Sequence, residues 1–173
     1  MPKCKVCKEK FTPTFNSLQP TCGEIKCAVE WGRKVRAAET RKALAKHHEN
    51  DKSWVRTKAQ EAFNKYIRLR DKGQGCISCG TTKDVQYAAG HYRSRGGAPQ
   101  NLAFHEWNVN LQCNRKCNMA LSGNIGEYRI RLIQKIGLEN VEWLENQNTP
   151  VKLTIEELRE IRDTYKAKYK ELK

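Results

Sequence analysis

The sequence predicts an α+β protein that is mainly helical, with one small two-stranded element and metal clips in place of a large core. Three observations carry this expectation. All eight cysteines fall in close pairs, Cys4/Cys7, Cys22/Cys27, Cys76/Cys79 and Cys113/Cys117. From Ala28 to Lys72 there is no proline, and no glycine stands between Gly32 and Gly73. Only 38% of the 173 residues are apolar while 30% are charged, so there is little to bury.

The formal charge of +14 attracts polyanions, of which nucleic acid and anionic membranes are the common ones. No apolar run approaches the roughly 20 residues that a bilayer span needs, and "MPKCKVCK" lacks the apolar stretch of a signal peptide. The expectation is therefore an intracellular protein with no membrane partner. Thiols stay reduced in that compartment, so paired cysteines point to metal rather than disulfides. Two tetrahedral zinc sites account for all eight.

Residues 1–27 read as a zinc knuckle. "CKVC" converges two sulfurs from a tight turn, and "CGEIKC" closes the site after a loop containing Pro13 and Pro20. Two roles are open for it: a clip that folds a terminus too short to fold alone, or a DNA-gripping or docking knuckle. Residues 28–72 read as a basic helical arm, one long helix or two broken near "HHENDKS". Its first half lacks an apolar stripe. Trp54, Ala62, Phe63, Tyr66, Ile67 and Leu69 give the second half a buried face. The exposed half is either a solvated charged surface or a DNA contact.

Residues 73–126 form the next segment. "GQGCISCG" reads as a zinc turn, Val85, Tyr87 and Ala89 alternate as a strand running into Gly90 and His91, and an arginine and glycine loop follows. "NLAFHEWNVNLQC" offers a second strand leading into Cys113, with a helix starting near Cys117. Phe104 and Trp107 read as core. "SGN", Ser122 to Asn124, is a turn or cap, with a phosphate-binding nest as the alternative. Residues 127–173 are helical: Tyr128, Leu132, Ile133 and Ile136 share a face that stops at Gly137, "LENVEWLENQ" adds a short helix, and "TIEE" opens the last helix with a capping box between Thr154 and Glu157.

If Cys76, Cys79, Cys113 and Cys117 share one zinc, the intervening chain is pinched into a loop that gathers His91, Arg93, Arg95 and Asn108. A strand with a histidine, a loop, a second strand and a helix at the last zinc ligand resembles the ββα-metal or HNH nucleases. "GHY" stands at the first His, Asn108 at the middle Asn and Asn118, after Cys117, at the last element. Taken together, "CISCG", "AGHYRSRGGAP" and "LAFHEWNVNLQCNRKCNMALSGNIGEYRIRLIQKIG" are similar to the phage NinG, or Rap, recombination proteins, structure-specific endonucleases of branched DNA. The likeness is strongest from Gly75 to Gly137.

The resemblance implies a zinc-stabilised HNH-like core that hydrolyses phosphodiesters with a magnesium or manganese ion. It makes His91 the base that takes the proton of water, oriented by Asn108 or a carbonyl, and Asn118 an oxygen ligand of the catalytic metal. Arg93, Arg95, Arg115 and Lys116 would hold phosphates. Asn108 also reads as a buried tie between loops, and Asn118 as a helix cap. Two departures stand out. Gly90 occupies the place where many HNH enzymes carry an acidic residue or His, leaving His105, Glu106 and Asn124 as candidates for a second metal ligand. Cys113 and Cys117 are separated by three residues rather than two, which predicts a looser turn and a rotated Asn118.

The expected partner is branched DNA, D-loops and Holliday-like junctions, together with phage or host recombination proteins. Resolvases that cut two strands are commonly dimers, so a homodimer is also expected, although the basic helix has no sustained heptad. A non-catalytic zinc-finger DNA-binding protein explains charge and cysteines equally well but has no need of His91. An RNA-binding zinc ribbon fits less, for want of an aromatic strand motif.

Overall fold

Helix-forming residues run almost unbroken from position 25, and the computed structural model, which describes residues 1–96 and 98–173, resolves them into two helices. These are α1 (Ile25–Asn50) and α2 (Lys52–Arg70). The break falls at Asp51, inside the expected "HHENDKS". Its carboxylate accepts from the Ser53 and Trp54 amides at 2.8 and 3.3 Å and so caps α2. The chain forms two compact units, Met1–Asn50 and Asp51–Lys173, which divide between them the arm read as residues 28–72.

In the first unit the knuckle is a short antiparallel bridge between Lys3 and Lys10, closed by Cys4 N–H to the Glu9 carbonyl at 2.8 Å. Phe11 packs with Cys4 and Cys27, and this is a very small core. Helix α1 buries only Cys27, in its first turn, so the expected absence of an apolar stripe is seen directly.

The second unit carries the larger cores. Helix α2 packs against α5 (Ile155–Glu171) through Phe63, which meets Tyr165 and Phe104 edge-on at 4.6 and 5.9 Å. Strands β1 (Tyr87–His91) and β2 (Val109–Cys113) pair antiparallel beside them, with Ala88 opposite Gln112, Gly90 opposite Asn110 and His91 opposite Val109. Between the strands, residues Gln100–Phe104 form a 3-10 helix, so the second strand begins eight residues later than its apolar pattern starts at Asn101. The arginine and glycine loop includes Gly97, which lies outside the described residues.

After β2 the chain makes a π-helical turn, Asn114–Ala120, then α3 (Ile125–Ile136) and α4 (Leu138–Asn146). Tyr128 and Leu132 of α3 pack against Val141 and Leu144 of α4 over Leu102 and Tyr92. The capping box at Thr154 and Glu157 is present at 3.1 and 2.7 Å. Among the described residues no helix is long and apolar enough to cross a membrane.

Candidate metal centres and catalytic groove

A structural zinc needs four thiolates at about 2.3 Å from one point, which sets sulfurs roughly 3.8 Å apart. Both cysteine sets meet this requirement. In each, all ligand atoms lie within 4.8 Å of one another, with Cys7 and Cys22 Sγ at 3.9 Å and Cys79 and Cys113 Sγ at 3.8 Å. The two clusters can each hold a zinc ion.

Backbone amides favour the thiolate at the first cysteine of each set. Burial would raise the Cys4 thiol, but N–H groups of Val6, Cys22 and Cys7 overcome it and bring the thiol down to about 6. At Cys76 the same contest, won by N–H groups of Cys113, Cys79 and Ser78, brings it to about 7. The last cysteines, Cys27 and Cys117, are pushed up to about 12 by burial and neighbouring thiols. A cation amid the sulfurs is what would relieve that cost.

The extra residue between Cys113 and Cys117 is absorbed by the π-turn, which is wider than an α-turn and holds one more residue. This answers the expectation of a looser zinc turn. It also sets Asn118, whose Nδ2 donates to Asn114 Oδ1 at 3.1 Å, leaving the amide oxygen for other work.

Beside the turn lies an open groove of about 610 Å3 lined by His91, Tyr92, Ser94, Arg95, Gly96, Asn118, Ser122, Gly123 and Ile125. His91, Arg95 and Asn118, which the resemblance made base, phosphate holder and metal ligand, thus line one groove. The His91 Nε2 lies 3.2 Å from the Ala103 carbonyl. A carbonyl only accepts, so Nε2 carries the proton and Nδ1 keeps a lone pair with no protein partner among the described residues. Burial, with Arg95 adding its charge, holds the imidazole down to about 4 against the acceptor Ala103, which pulls the other way. The ring is neutral at physiological pH.

The other expected site residues lie elsewhere. Asn108 is fully buried and takes the tying role: its Oδ1 accepts from Arg93 N at 2.7 Å, and its Nδ2 donates to the Arg93 and Leu102 carbonyls at 3.1 and 2.9 Å. The Arg93 guanidinium donates to the carbonyls of Leu144, Glu145 and Gln147, closing the C-terminus of α4 instead of facing the groove. Arg115 and Lys116 line a second hollow, of about 600 Å3, beside Cys79 and Cys113.

None of the three candidates for a second metal ligand lines the groove. Glu106 is held by Tyr66, Tyr165 and Lys168 at 2.9, 3.2 and 2.6 Å, and His105 packs against Trp107 and Trp143. Asn124 donates to Cys117 Sγ at 3.8 Å. Phe104 is core, but Trp107 is exposed, because the residues after the 3-10 helix turn outward to an aromatic cluster with Trp143.

The nest reading of Ser122, Gly123 and Asn124 gives way to the turn reading. Their amides already donate to the Met119, Cys117 and Leu121 carbonyls at 3.2, 2.8 and 2.7 Å. Gly90 has a steric cause. A Cβ there would sit 2.2 Å from Gln112 Oε1, and Gln112 is fully buried with its Nε2 donating to Ser78 Oγ and the Gly123 carbonyl at 2.6 Å each. No side chain, acidic or otherwise, fits before His91.

Sequence reasoning missed the buried polar network behind the groove. Asp71 accepts from Arg70 Nε and Nη2 at 2.8 Å each, from Lys135 Nζ at 3.0 Å and from Leu111 N at 3.0 Å. Lys135 and Arg70 also reach Asn110 Oδ1, Asn110 donates to Tyr128 Oη at 3.1 Å, and Tyr128 donates to the Gly90 carbonyl at 3.0 Å. The one available signal was polar residues at Asn108, Asn110 and Gln112, alternate positions of an otherwise apolar run.

Comparison with known proteins gives one family. A family model described as "Bacteriophage Lambda NinG protein" matches residues 1–173. The chain is 39% identical over 189 aligned residues to "Protein ninG" of Escherichia phage 933W, covering 99% of this chain and 93% of that one. It is 44% identical over 120 residues to "Protein ninG" of Escherichia phage lambda, covering 69% of this chain and 57% of the other. The counterpart in Salmonella phage P22 is 42% identical over 120 residues, with 69% and 58% covered. No solved structure matches.

Proposed function

Because the chain belongs to the bacteriophage lambda NinG family along its whole length, we propose that it is a metal-dependent DNA endonuclease of the HNH type acting on branched recombination intermediates. The observation that carries this reading is His91: a neutral imidazole whose Nε2–H is committed to the Ala103 carbonyl while Nδ1 stays free, in one groove with Arg95 and Asn118. A base needs one nitrogen anchored and one lone pair open.

In this reading Nδ1 of His91 takes the proton of the attacking water, and the Ala103 carbonyl steadies the imidazolium that forms. Arg95 neutralises the scissile phosphate and, once paired with it, ceases to oppose protonation of His91. Asn108 acts at one remove as a positioning residue, fixing the loop that carries Arg95. The donor set suits a hydrated magnesium or manganese ion only sparsely: Asn118 Oδ1 and the hydroxyls of Ser94 and Ser122 are the groups that would hold it. Such an ion would supply charge neutralisation at the departing 3′ oxygen.

Among the described residues no carboxylate lines the groove, which favours the second reading, a non-catalytic zinc protein that grips the DNA backbone. One experiment separates them. Purified zinc-loaded protein is incubated with linear duplex, flap, D-loop and four-way junction DNA, each in two unrelated sequences, with and without magnesium or manganese. Metal-dependent nicking of branched DNA that His91→Ala abolishes, with affinity changed less than about twofold, supports the nuclease. Binding without nicking supports the second reading, and sequence-dependent cutting of linear duplex overturns the branched-DNA substrate.

A further inference from the structure

The turn that follows the π-helix faces outward with its apolar side chains. Met119, Leu121 and Ile125 are 66%, 48% and 41% exposed, within seven residues of chain. Ser122, Gly123 and Asn124 between them all adopt positive φ, at 47, 93 and 46°. Two non-glycine residues in the left-handed region, Ser122 and Asn124 on either side of Gly123, are costly and persist only where the surroundings impose them.

The surroundings here do so. Gly123 is gripped on both sides, its N–H donating to the Cys117 carbonyl and its carbonyl accepting from Gln112 and Ser78, and Asn124 reaches Cys117 Sγ. The turn is thereby mounted on the inner cysteine cluster. Its amides are spent internally, so it offers a ligand apolar side chains and the Ser122 hydroxyl. It also forms one wall of the groove, since Ser122, Gly123 and Ile125 line it with His91.

We propose that residues 119–125 are an apolar wedge that enters DNA at a branch point, next to the phosphate held in the groove. This rests on the DNA reading of that groove. The occupant follows from charge: Arg95 lies in the groove and Arg115 and Lys116 are exposed on the π-turn that leads into the wedge, within a chain of net charge +14. Inserting Leu121 and Met119 into intact duplex requires unstacking a base step, which opposes the gain from burying them. At a junction the step is already open and only the gain remains. Selectivity for branches then arises without reading any base edge.

The test uses full-length zinc-loaded protein in calcium, with 2-aminopurine at the branch of a four-way junction and at the same position in linear duplex. Wild-type protein should raise the junction fluorescence and leave the duplex nearly unchanged. Met119→Ser with Leu121→Ser should lose that rise and bind the junction about tenfold more weakly, while duplex affinity changes less than about twofold; Leu121→Met should restore most of the signal. An unchanged junction signal in the serine variant overturns the wedge, as does equal loss on duplex. A wild-type dimer that becomes monomeric in the variant, with the 2-aminopurine signal intact, assigns the patch to self-association instead. His91→Ala should keep the signal, so a protein that opens the branch but never cuts sinks the nuclease and leaves the wedge standing.

Discussion

The two cysteine clusters share a donor set, a spread of sulfur positions and an amide-stabilised first thiol, yet their surroundings differ. The outer one, in residues Met1–Asn50, stands on Phe11 and little else and feeds an exposed basic helix. The inner one, in Asp51–Lys173, is backed by Gln112, Ser78 and Gly123 and stands among cores built on Phe63 and Tyr128. The same chemistry therefore does two jobs. In the outer unit a bound metal would substitute for a core, whereas in the inner unit a core exists and a metal would fix the placement of Asn118 and the turn beyond it.

The largest effect that distinguishes them comes from removing one ligand at each. Structural zinc contributes about 10–16 kcal/mol in small domains, so Cys27→Ser should unfold the knuckle while the melting transition of residues 51–173 stays in place. Cys117→Ser should lower that transition and reduce branched-DNA cleavage by about a hundredfold or more, since the groove loses its geometry. Zinc stoichiometry should fall from two to one in both. Equal losses of cleavage would break the distinction.

Asp71→Asn probes the inner unit behind the cluster. It leaves Arg70 and Lys135 facing a neutral amide, and breaking a buried pair typically costs about 3–5 kcal/mol, readable by urea denaturation. Burial would raise the Asp71 carboxyl, but Arg70 and then Lys135 hold it below the ordinary carboxylate range. Its contribution is thus complete at neutral pH and lost as pH falls below about 4 through the folded value. Acid titration of wild type should show this loss and the variant should not.

Next in size is Gly90→Ala. The new methyl meets a locked Gln112, and overpacking of this kind costs about 1–3 kcal/mol. Gln112→Ala in the same chain should recover part of the loss, sharpening the view that strand packing excludes a side chain before His91. The smallest effects separate two neighbouring arginines. Arg93→Gln should cost about 1 kcal/mol of stability through α4 and leave the salt dependence of DNA binding unchanged. Arg95→Gln should leave stability unchanged and make the slope of log affinity against log salt shallower by about 0.9.

What could be read in the sequence was what depends on spacing. Cysteine pairs, the Thr154 capping box, the stop at Gly137 and the break at Asp51 are local patterns whose physics acts within a few residues. His91 and Asn118 came together because two cysteine pairs bracket the first and the second directly follows the last of these cysteines. Contacts set by tertiary direction were hidden. Nothing near Arg93 announces that its guanidinium caps a helix more than 50 positions away, and Glu106 looks like a free carboxylate until α2 and α5 close over it. Trp107 reads as core because its apolar neighbours are, but the turn after Phe104 reverses its direction.

The π-turn between the last two inner cysteines has a consequence for descent. A π-turn differs from an α-turn by one inserted residue, and each residue advances a helix by roughly 100°. Gain or loss of a single codon between Cys113 and Cys117 would swing the side chains that follow around the helix axis while sparing both thiols. The segment is a place where a single step of length, rather than many substitutions, can re-aim the Asn118 amide and everything downstream of it.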